Sequence, residues 1–145
     1  MNIASPLSLN VPSSGLLPPR GSAPLSFVRK GICLIGRVRL DEGTPLQIGT
    51  VHPRVSRLHA VIRLKGKDRS LTIEDIGSKN GTWLWREVRW ERLEPRQPYP
   101  LSLGQRIGLG AITGLEENPF IDLELALTFT LVSSPDGSNW QLMTP

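Results

Sequence analysis

The sequence has only one cysteine and two histidines among its 145 residues, which limits the chemistry open to it. The single cysteine, Cys33, excludes an intrachain disulfide. Because Cys33 lies in the apolar run 32–35, we expect a buried structural thiol rather than a reactive one. These three residues lack the close spacing of a zinc site, and no Walker or dinucleotide-binding glycine pattern occurs. We therefore expect no metal and no cofactor.

Long apolar runs are also absent from the sequence. No stretch approaches the roughly 20 apolar residues that a membrane-spanning helix requires. Residues 1–6 lack the basic region and the long apolar segment of a secretory signal. The sequence therefore predicts a soluble, intracellular protein that has no membrane partner.

A sustained helical period is missing as well. The sequence instead contains 13 prolines and 14 glycines, which favour many turns, and short segments in which apolar and polar residues alternate. The predicted strands are residues 7–11, 25–28, 32–35, 46–48, 59–64, 71–76, 82–85, 105–109 and 123–132. Residues 86–100, rich in arginine and proline, are predicted to be irregular at their end, residues 139–145 are predicted to fray, and a disordered tail is the alternative for the first 24 residues. Short strands between regularly spaced turns indicate a β-sandwich or barrel.

The excess of positive charge is modest. There are 17 lysines and arginines against 13 acidic residues, a formal charge of +4. Such an excess suits an anionic partner, either a phosphopeptide or a nucleic acid, and it equally suits ordinary solubility.

Three polar segments stand at predicted strand ends, at 34–37, 55–60 and 75–82. Loops gather at the ends of a sandwich and carry function on a rigid scaffold. If these three segments share one end, they bring together two arginines, a lysine, a serine and an asparagine.

This combination of side chains suits a phosphate. Arg37 offers a planar fork of donors, Ser56 offers a hydroxyl, and Arg57 and Lys79 add positive charge. Asn80 has both a donor and an acceptor, so it can fix a peptide backbone in one register.

The order of these motifs resembles the signature of the forkhead-associated (FHA) domain family. The matching residues are Gly36-Arg37, then Ser56-Arg57-Leu58-His59, then Ser78-Lys79-Asn80-Gly81-Thr82. The resemblance runs from about residue 7 to residue 132. It implies an all-β, FHA-type β-sandwich of about eleven strands, with the binding loops at one end and both termini at the other. We accordingly divide the chain into an N-terminal tail (1–6), an FHA domain (7–133) and a C-terminal tail (134–145).

The resemblance also implies a function. It implies a signalling adaptor that binds phosphothreonine peptides and is not an enzyme, with a small pocket for the threonine methyl group that disfavours phosphoserine. It implies that Arg37 and Ser56 hold the phosphate, that Arg57 and Lys79 assist, and that Asn80 holds the peptide main chain. The expected partner is a phosphothreonine-containing protein, a homo- or hetero-oligomer is left open, and the nucleus is slightly favoured over the cytoplasm.

Framework and specificity residues follow from the same resemblance. Gly36, His59 and Gly81 match positions that shape the loops. Arg54, two residues before Ser56, is interpreted as selecting an acidic peptide residue about three positions after the phosphothreonine.

One alignment remains open at this stage. A second glycine in Gly49-Thr50 could match the Gly-Arg position in place of Gly36-Arg37, and this would remove the main phosphate ligand. We favour Arg37 because that alignment keeps 46–48 as the strand before the Ser56 loop.

The two histidines have a structural interpretation. His59 with Ser56 and Asp75 could suggest a hydrolase triad, but no nucleophile elbow or oxyanion motif accompanies them. We predict that His59 is buried and hydrogen-bonded, and that His52 is an exposed loop residue.

The tryptophans support two other functions. Trp83, Trp85 and Trp90 lie near several arginines and are expected to be mainly core residues. Alternatively they form a second surface for phosphate-independent protein assembly. Nucleic-acid binding by stacking is the least favoured interpretation.

Overall fold

The computed structural model describes residues 22–27, 31–37, 46–66 and 69–144. Within these ranges the chain forms eleven β-strands and no α-helix. The strands are β1 (Ser22–Pro24), β2 (Ile32–Arg37), β3 (Ile48–Thr50), β4 (Ala60–Lys65), β5 (Ser70–Asp75), β6 (Thr82–Arg86), β7 (Arg89–Arg92), β8 (Tyr99–Leu101), β9 (Arg106–Gly110), β10 (Ala126–Ser133) and β11 (Trp140–Met143). No part of these ranges contains a helix with the length and hydropathy needed to span a membrane.

The strands form two sheets. One sheet has six strands in the order β1-β11-β10-β9-β6-β7, and the other has five in the order β3-β2-β4-β5-β8. The pairings among the described strands are antiparallel, except that β2 and β3 run parallel. The prediction of an all-β sandwich is confirmed.

The main core lies between the two sheets, and strands with one face on it bury alternate residues. In β5, Leu71 and Ile73 are buried while Thr72 and Glu74, which alternate with them, are only half-buried. Cys33 is buried here, and burial raises the pKa of its thiol to about 11. The thiol therefore stays protonated at neutral pH, in agreement with the predicted structural role.

A smaller apolar cluster covers the outer face of the six-stranded sheet. Trp83 and Trp90 pack there against Ile112, from the connection between β9 and β10. Trp90 also donates from its backbone N–H to the carbonyl of Glu116 and from Nε1 to the carbonyl of Asn118, at 2.7 and 2.9 Å. The connection is thereby fixed against the sheet.

Strand register places the three polar loops at one end of the molecule. Ile35 near the end of β2 is paired with Ala60 at the start of β4, and Ala60 is paired with Asp75 at the end of β5. The segments that follow β2 and β5 and that precede β4 therefore meet at this end. The last strand, β11, pairs with residues 130–133 of β10, in the half of that strand farther from the loops.

Several predicted elements differ from the structure. The strand predicted at 123–132 begins only at Ala126, because the carbonyl of Asp122 accepts hydrogen bonds from the N–H groups of Leu125 and Ala126 and closes a turn. The segment 86–100, for which no strand was predicted and whose end was expected to be irregular, contains β7 and the start of β8. The predicted strand 25–28 is replaced by β1 just before it, and the predicted strand 7–11 lies outside the described residues.

The sheet order corrects the prediction that residues 134–145 form a C-terminal tail outside the domain. Residues Trp140–Met143 form β11, which lies between β1 and β10 and pairs with both. The sheet therefore extends beyond residue 133, the boundary that was predicted for the domain.

Candidate functional site

A cavity of about 210 Å³ lies where the three polar loops meet. The residues that line it are Arg37, Pro53, Arg54, Val55, Ser56, Lys79 and Asn80. Three of these side chains are cationic and none is a carboxylate. The cavity is therefore suited to an anion.

Arg37 ends β2 and is held at the cavity by two contacts. Its backbone N–H donates to the carbonyl of Ser56 at 2.8 Å, and Nη1 donates to the carbonyl of Pro53 at 3.4 Å. Thr50 is the register partner of Arg37 on β3, but it is only 3% exposed and its hydroxyl accepts from the N–H of His52. The geometry thus brings Arg37, and not Thr50, to the cavity.

Hydrogen bonds of Ser56 and Asn80 join the two loops that line the cavity, residues 51–59 and the loop between β5 and β6. The hydroxyl oxygen of Ser56 accepts from the N–H of Lys79 at 3.0 Å. Nδ2 of Asn80 donates to the carbonyl of Arg54 at 2.9 Å. A serine hydroxyl that accepts from the backbone still has its own hydrogen to donate, and Asn80 keeps its Oδ1 and one further N–H for a ligand.

His59 is the buried residue that fixes both loops, as predicted. Nδ1 accepts from the N–H of Ser56 at 2.9 Å, and Nε2 lies 2.8 Å from the carbonyl of Gly81, to which it donates. This pattern requires the neutral ring, with its proton on Nε2. Because neither nitrogen bonds to the Ser56 hydroxyl, Ser56, His59 and Asp75 do not form a catalytic relay.

Burial lowers the pKa of His59 below its ordinary value of 6.5, although the hydrogen bond to Gly81 and the charge of Asp75 act in the opposite direction. The unfolded chain therefore binds a proton at a higher pH than the native chain does, so stability falls as the pH drops below about 6.5.

We expect the urea midpoint to decrease between about pH 7 and pH 5, and to decrease less in a His59→Gln variant, whose overall stability is lower. An equal pH dependence in both proteins would contradict this assignment of the pKa shift.

Asp75 shapes the loop between β5 and β6 from below. Burial alone would raise the pKa of its carboxyl, but hydrogen bonds from the Ser78 and Thr82 hydroxyls and from the N–H groups of Ser78 and Gly77 outweigh it and lower the pKa. Sequence reasoning considered Asp75 only as a triad member. The turn signal Asp-Ile-Gly-Ser could have indicated this structural role.

Gly36 and Gly81 have steric reasons for lacking a side chain. A Cβ atom on Gly36 would lie 1.8 Å from the carbonyl oxygen of Arg57. Gly81 has a φ of 102°, and a Cβ atom there would lie 2.7 Å from Nε of Arg92. Both positions therefore set the course of the loops, as the predicted framework roles require.

The other polar residues of the 51–59 loop are placed differently from one another. Arg54 is exposed and lines the cavity, whereas Arg57 is exposed but is not among the lining residues. The prediction for His52 is wrong, because the residue is only 9% exposed. Its Nδ1 accepts from the N–H of Arg54 and its Nε2 contacts the carbonyl of Leu123. No local pattern could reveal this link to a distant part of the chain.

The family model of the FHA domain matches residues 33–110, more than half of the chain. The chain belongs to the FHA domain family. No curated protein sequence matches it significantly.

Solved FHA structures resemble this domain over much of its length. An engineered FHA domain with a Myc-pTBD peptide is 23% identical, with a TM-score of 0.41, and the match covers 77% of this chain and 63% of that one. A chain from a study of phosphothreonine-dependent FHA domain interactions is 30% identical, with a TM-score of 0.40 and coverages of 55% and 69%. The N-terminal FHA domain of S. cerevisiae Rad53p, in complex with a phosphothreonine peptide, is 18% identical, with a TM-score of 0.48 and coverages of 98% and 80%.

The tryptophans of this FHA domain do not form the second surface that was considered. Trp83 is 3% exposed and Trp90 is 0% exposed, and only Trp85 is half-buried. The connection between β9 and β10 covers them, so they are core residues. The burial corrects the tryptophan part of the predicted second surface, for protein assembly as for base stacking. In the described parts of the chain, no His, Cys, Asp and Glu side chains cluster as metal ligands would.

Proposed function

We propose that this FHA domain binds phosphothreonine-containing segments of other proteins and acts as an adaptor inside the cell, without catalysing a reaction. The observation that carries the proposal is the cavity at the loop end, where Arg37, Arg54 and Lys79 surround the Ser56 hydroxyl and the Asn80 amide. Membership of the FHA family supports it. So do the phosphothreonine peptides bound by the related domain from Rad53p.

The affinity depends on the charge that a kinase adds. A phosphate brings roughly two negative charges and three strong acceptor oxygens. Arg37 and Lys79 balance the charge, the Ser56 hydroxyl donates to one oxygen, and Asn80 bonds to the peptide main chain. An unmodified threonine offers these donors little, so binding follows phosphorylation.

The apolar part of the lining accounts for a preference for threonine. Pro53 is an exposed apolar residue of an otherwise polar lining, whereas Val55, which also lines the cavity, is only 1% exposed. We propose that Pro53 contacts the methyl group that phosphothreonine has and phosphoserine lacks. Burying one methyl group is worth about 0.8 kcal/mol, so we expect a preference of roughly fourfold.

An oriented peptide library tests the proposed function. The full chain is titrated with peptides that carry phosphothreonine, phosphoserine or unmodified threonine at the same central position. We expect binding in that order of affinity, with no measurable binding of the unmodified set. Equal binding of phosphorylated and unmodified peptides would overturn the proposal.

Arg54 provides a prediction about sequence preference. It is exposed at the rim of the cavity, and its carbonyl is fixed by Asn80. We expect an acidic residue about three positions after the phosphothreonine to raise affinity several-fold, since an exposed ion pair contributes up to about 1 kcal/mol. An Arg54→Gln variant should lose this preference and keep its dependence on phosphate. A library that shows no acidic preference at this position would remove the role of Arg54.

A further inference from the structure

A second pair of cations lies beside the loop between β5 and β6 that carries Lys79 and Asn80. Arg92 is at the end of β7, and Nε of Arg92 lies 2.7 Å from the point where a Cβ atom on Gly81 would be. Arg96 follows in the next turn, and its Nη2 lies 3.5 Å from the corresponding point on Gly77. The two guanidinium groups thus lie against the glycines on either side of residues 78–80.

Both arginines are held in place by contacts that leave their charges exposed. The guanidinium of Arg92 lies over the ring of Trp83, 5.7 Å from its centroid. The backbone N–H of Arg96 donates to the carbonyl of Asp75 at 2.8 Å. Arg96 has a φ of 63°, a left-handed conformation that glycine or asparagine adopts more easily. A residue with a side chain in such a conformation costs about 1 kcal/mol or more, and strain of this kind concentrates at functional sites.

Neither arginine is neutralised within the described parts of the chain. The ion pairs given there are Arg63–Glu74 and Arg86–Glu91, and Arg92 and Arg96 belong to neither. Both side chains are exposed. They therefore place two guanidinium groups beside the loop, outside the cavity that holds Arg37 and Ser56, and among the described residues Glu91 and Glu116 line the same cavity as Arg92 without forming an ion pair with it.

We propose that Arg92 and Arg96 form a second anion-binding subsite, which takes a carboxylate or a second phosphate on the same peptide. The proposal rests on the proposed function, because the phosphothreonine places the peptide next to this loop. Gly77 and Gly81, which the two arginines contact, lie within three residues of Lys79 and Asn80, which line the cavity. Because successive Cα atoms are about 3.8 Å apart, the subsite is only a few residue lengths from the cavity. An extended peptide rises about 3.3 Å per residue, which places the second anion roughly two to four residues from the phosphothreonine.

The test compares three peptides that share one phosphothreonine. The first has neutral flanks, the second has a glutamate and the third has a phosphoserine, each placed in turn two to four residues away on either side. With an Arg54→Gln chain, which lacks the acidic preference proposed for Arg54, we still expect at least one position at which an added anion raises affinity about tenfold. When the double substitution Arg92→Gln/Arg96→Gln is added to that chain, we expect this gain to disappear while affinity for the neutral peptide stays within about twofold.

Matched variants separate the subsite from general charge and from folding. Lys65→Gln removes one exposed charge at the opposite end of the five-stranded sheet, where Lys65 pairs with Ser70, and should keep the anion preference. Arg96→Gln alone leaves the contact of Arg92 with Trp83 intact, so a partial loss in that variant cannot come from a damaged core. If glutamate and phosphoserine both raise the affinity, the subsite binds anions in general. If phosphoserine alone raises the affinity, the subsite is specific for phosphate.

Three outcomes overturn the proposal. If no flanking anion raises affinity at any position while the neutral phosphothreonine peptide binds, the subsite is absent and the proposed function stands. If the double variant retains the full gain, the anion is bound elsewhere. A natural chain that binds none of the phosphothreonine peptides overturns the proposed function and the subsite together.

Discussion

Replacing Arg37 with alanine is expected to lower the affinity for a phosphothreonine peptide by about 10- to 100-fold. The loss of one charge-assisted hydrogen bond to the phosphate costs about 1.5–3 kcal/mol, which corresponds to this range. Arg37 is only half-buried, and among the residues that the structure describes its side chain hydrogen-bonds to the carbonyl of Pro53. The variant should therefore fold normally, and calorimetric titration should show the loss in binding with an unchanged melting temperature.

Three companion variants make the result specific. Arg37→Lys keeps the charge but removes the planar fork, and it should recover only part of the affinity. Ser56→Ala removes the hydroxyl and should also weaken binding about tenfold. Arg89→Ala, which removes a cation far from the cavity, should bind as the natural chain does. If Arg37→Ala binds with undiminished affinity, the phosphate site is not the cavity at the loop end.

Replacing Gly36 with alanine is expected to destabilise the fold by about 3 kcal/mol or more. The new Cβ atom would lie 1.8 Å from the carbonyl oxygen of Arg57, so the backbone there must move. That movement disturbs two neighbouring hydrogen bonds, from the N–H of Arg37 to Ser56 and from the N–H of His59 to Ile35. Urea unfolding should report the loss of stability. Binding should weaken as well, even at a temperature where the variant is folded.

The matched control for Gly36→Ala is a glycine that has a positive φ but open space around it. Gly104 has a φ of 86°, but no atom lies near the position of an added Cβ. Gly104→Ala should therefore cost only the strain of the backbone, about 1 kcal/mol, and leave binding unaffected. If the two variants lose equal stability, the close approach to Arg57 does not explain why residue 36 is glycine.

The part of the site that sequence could predict is the part that local motifs encode. Gly36 and Arg37 lie at the end of β2, and Ser56 and Asn80 lie in the loops before β4 and β6. The sequence shows the alternation of these strands clearly, and one end of the sandwich brings the four residues together. The buried position of His59 followed from the same pattern. These predictions depend on short segments and on a rigid scaffold, so they needed no knowledge of side-chain directions.

The features that sequence could not predict depend on long-range packing. His52 looked like a loop residue, and its burial comes from a contact with Leu123 in another connection. Arg57 carries the right charge, yet it is not among the lining residues of the cavity. The exposed Arg92 and Arg96 reach the site because β7 and the turn after it pass beside the glycines of the β5–β6 loop.

Strand prediction failed for β7, because only one residue of that strand is buried. In β7 only Trp90 is buried among Arg89, Glu91 and Arg92, so the segment reads as polar. The opposite error occurred at 123–125, where leucines alternate but a turn at Asp122 delays the strand. Alternation indicates which face of a strand is buried, whereas hydrogen bonding decides where the strand starts.

The pairing of β1 with β11 has a consequence for how this domain folds. Ser22 lies opposite Met143, so the first described strand pairs with the last one. The contact order of the six-stranded sheet is therefore high. Closing so long a loop costs entropy before any contact rewards it, and folding on a timescale of roughly milliseconds to seconds is expected. The central strands of the other sheet, β2, β4 and β5, pair over much shorter separations in sequence, as in the pairs Ile35–Ala60 and Lys65–Ser70. The half that carries Arg37 and Ser56 is therefore able to assemble before the ends of the chain meet.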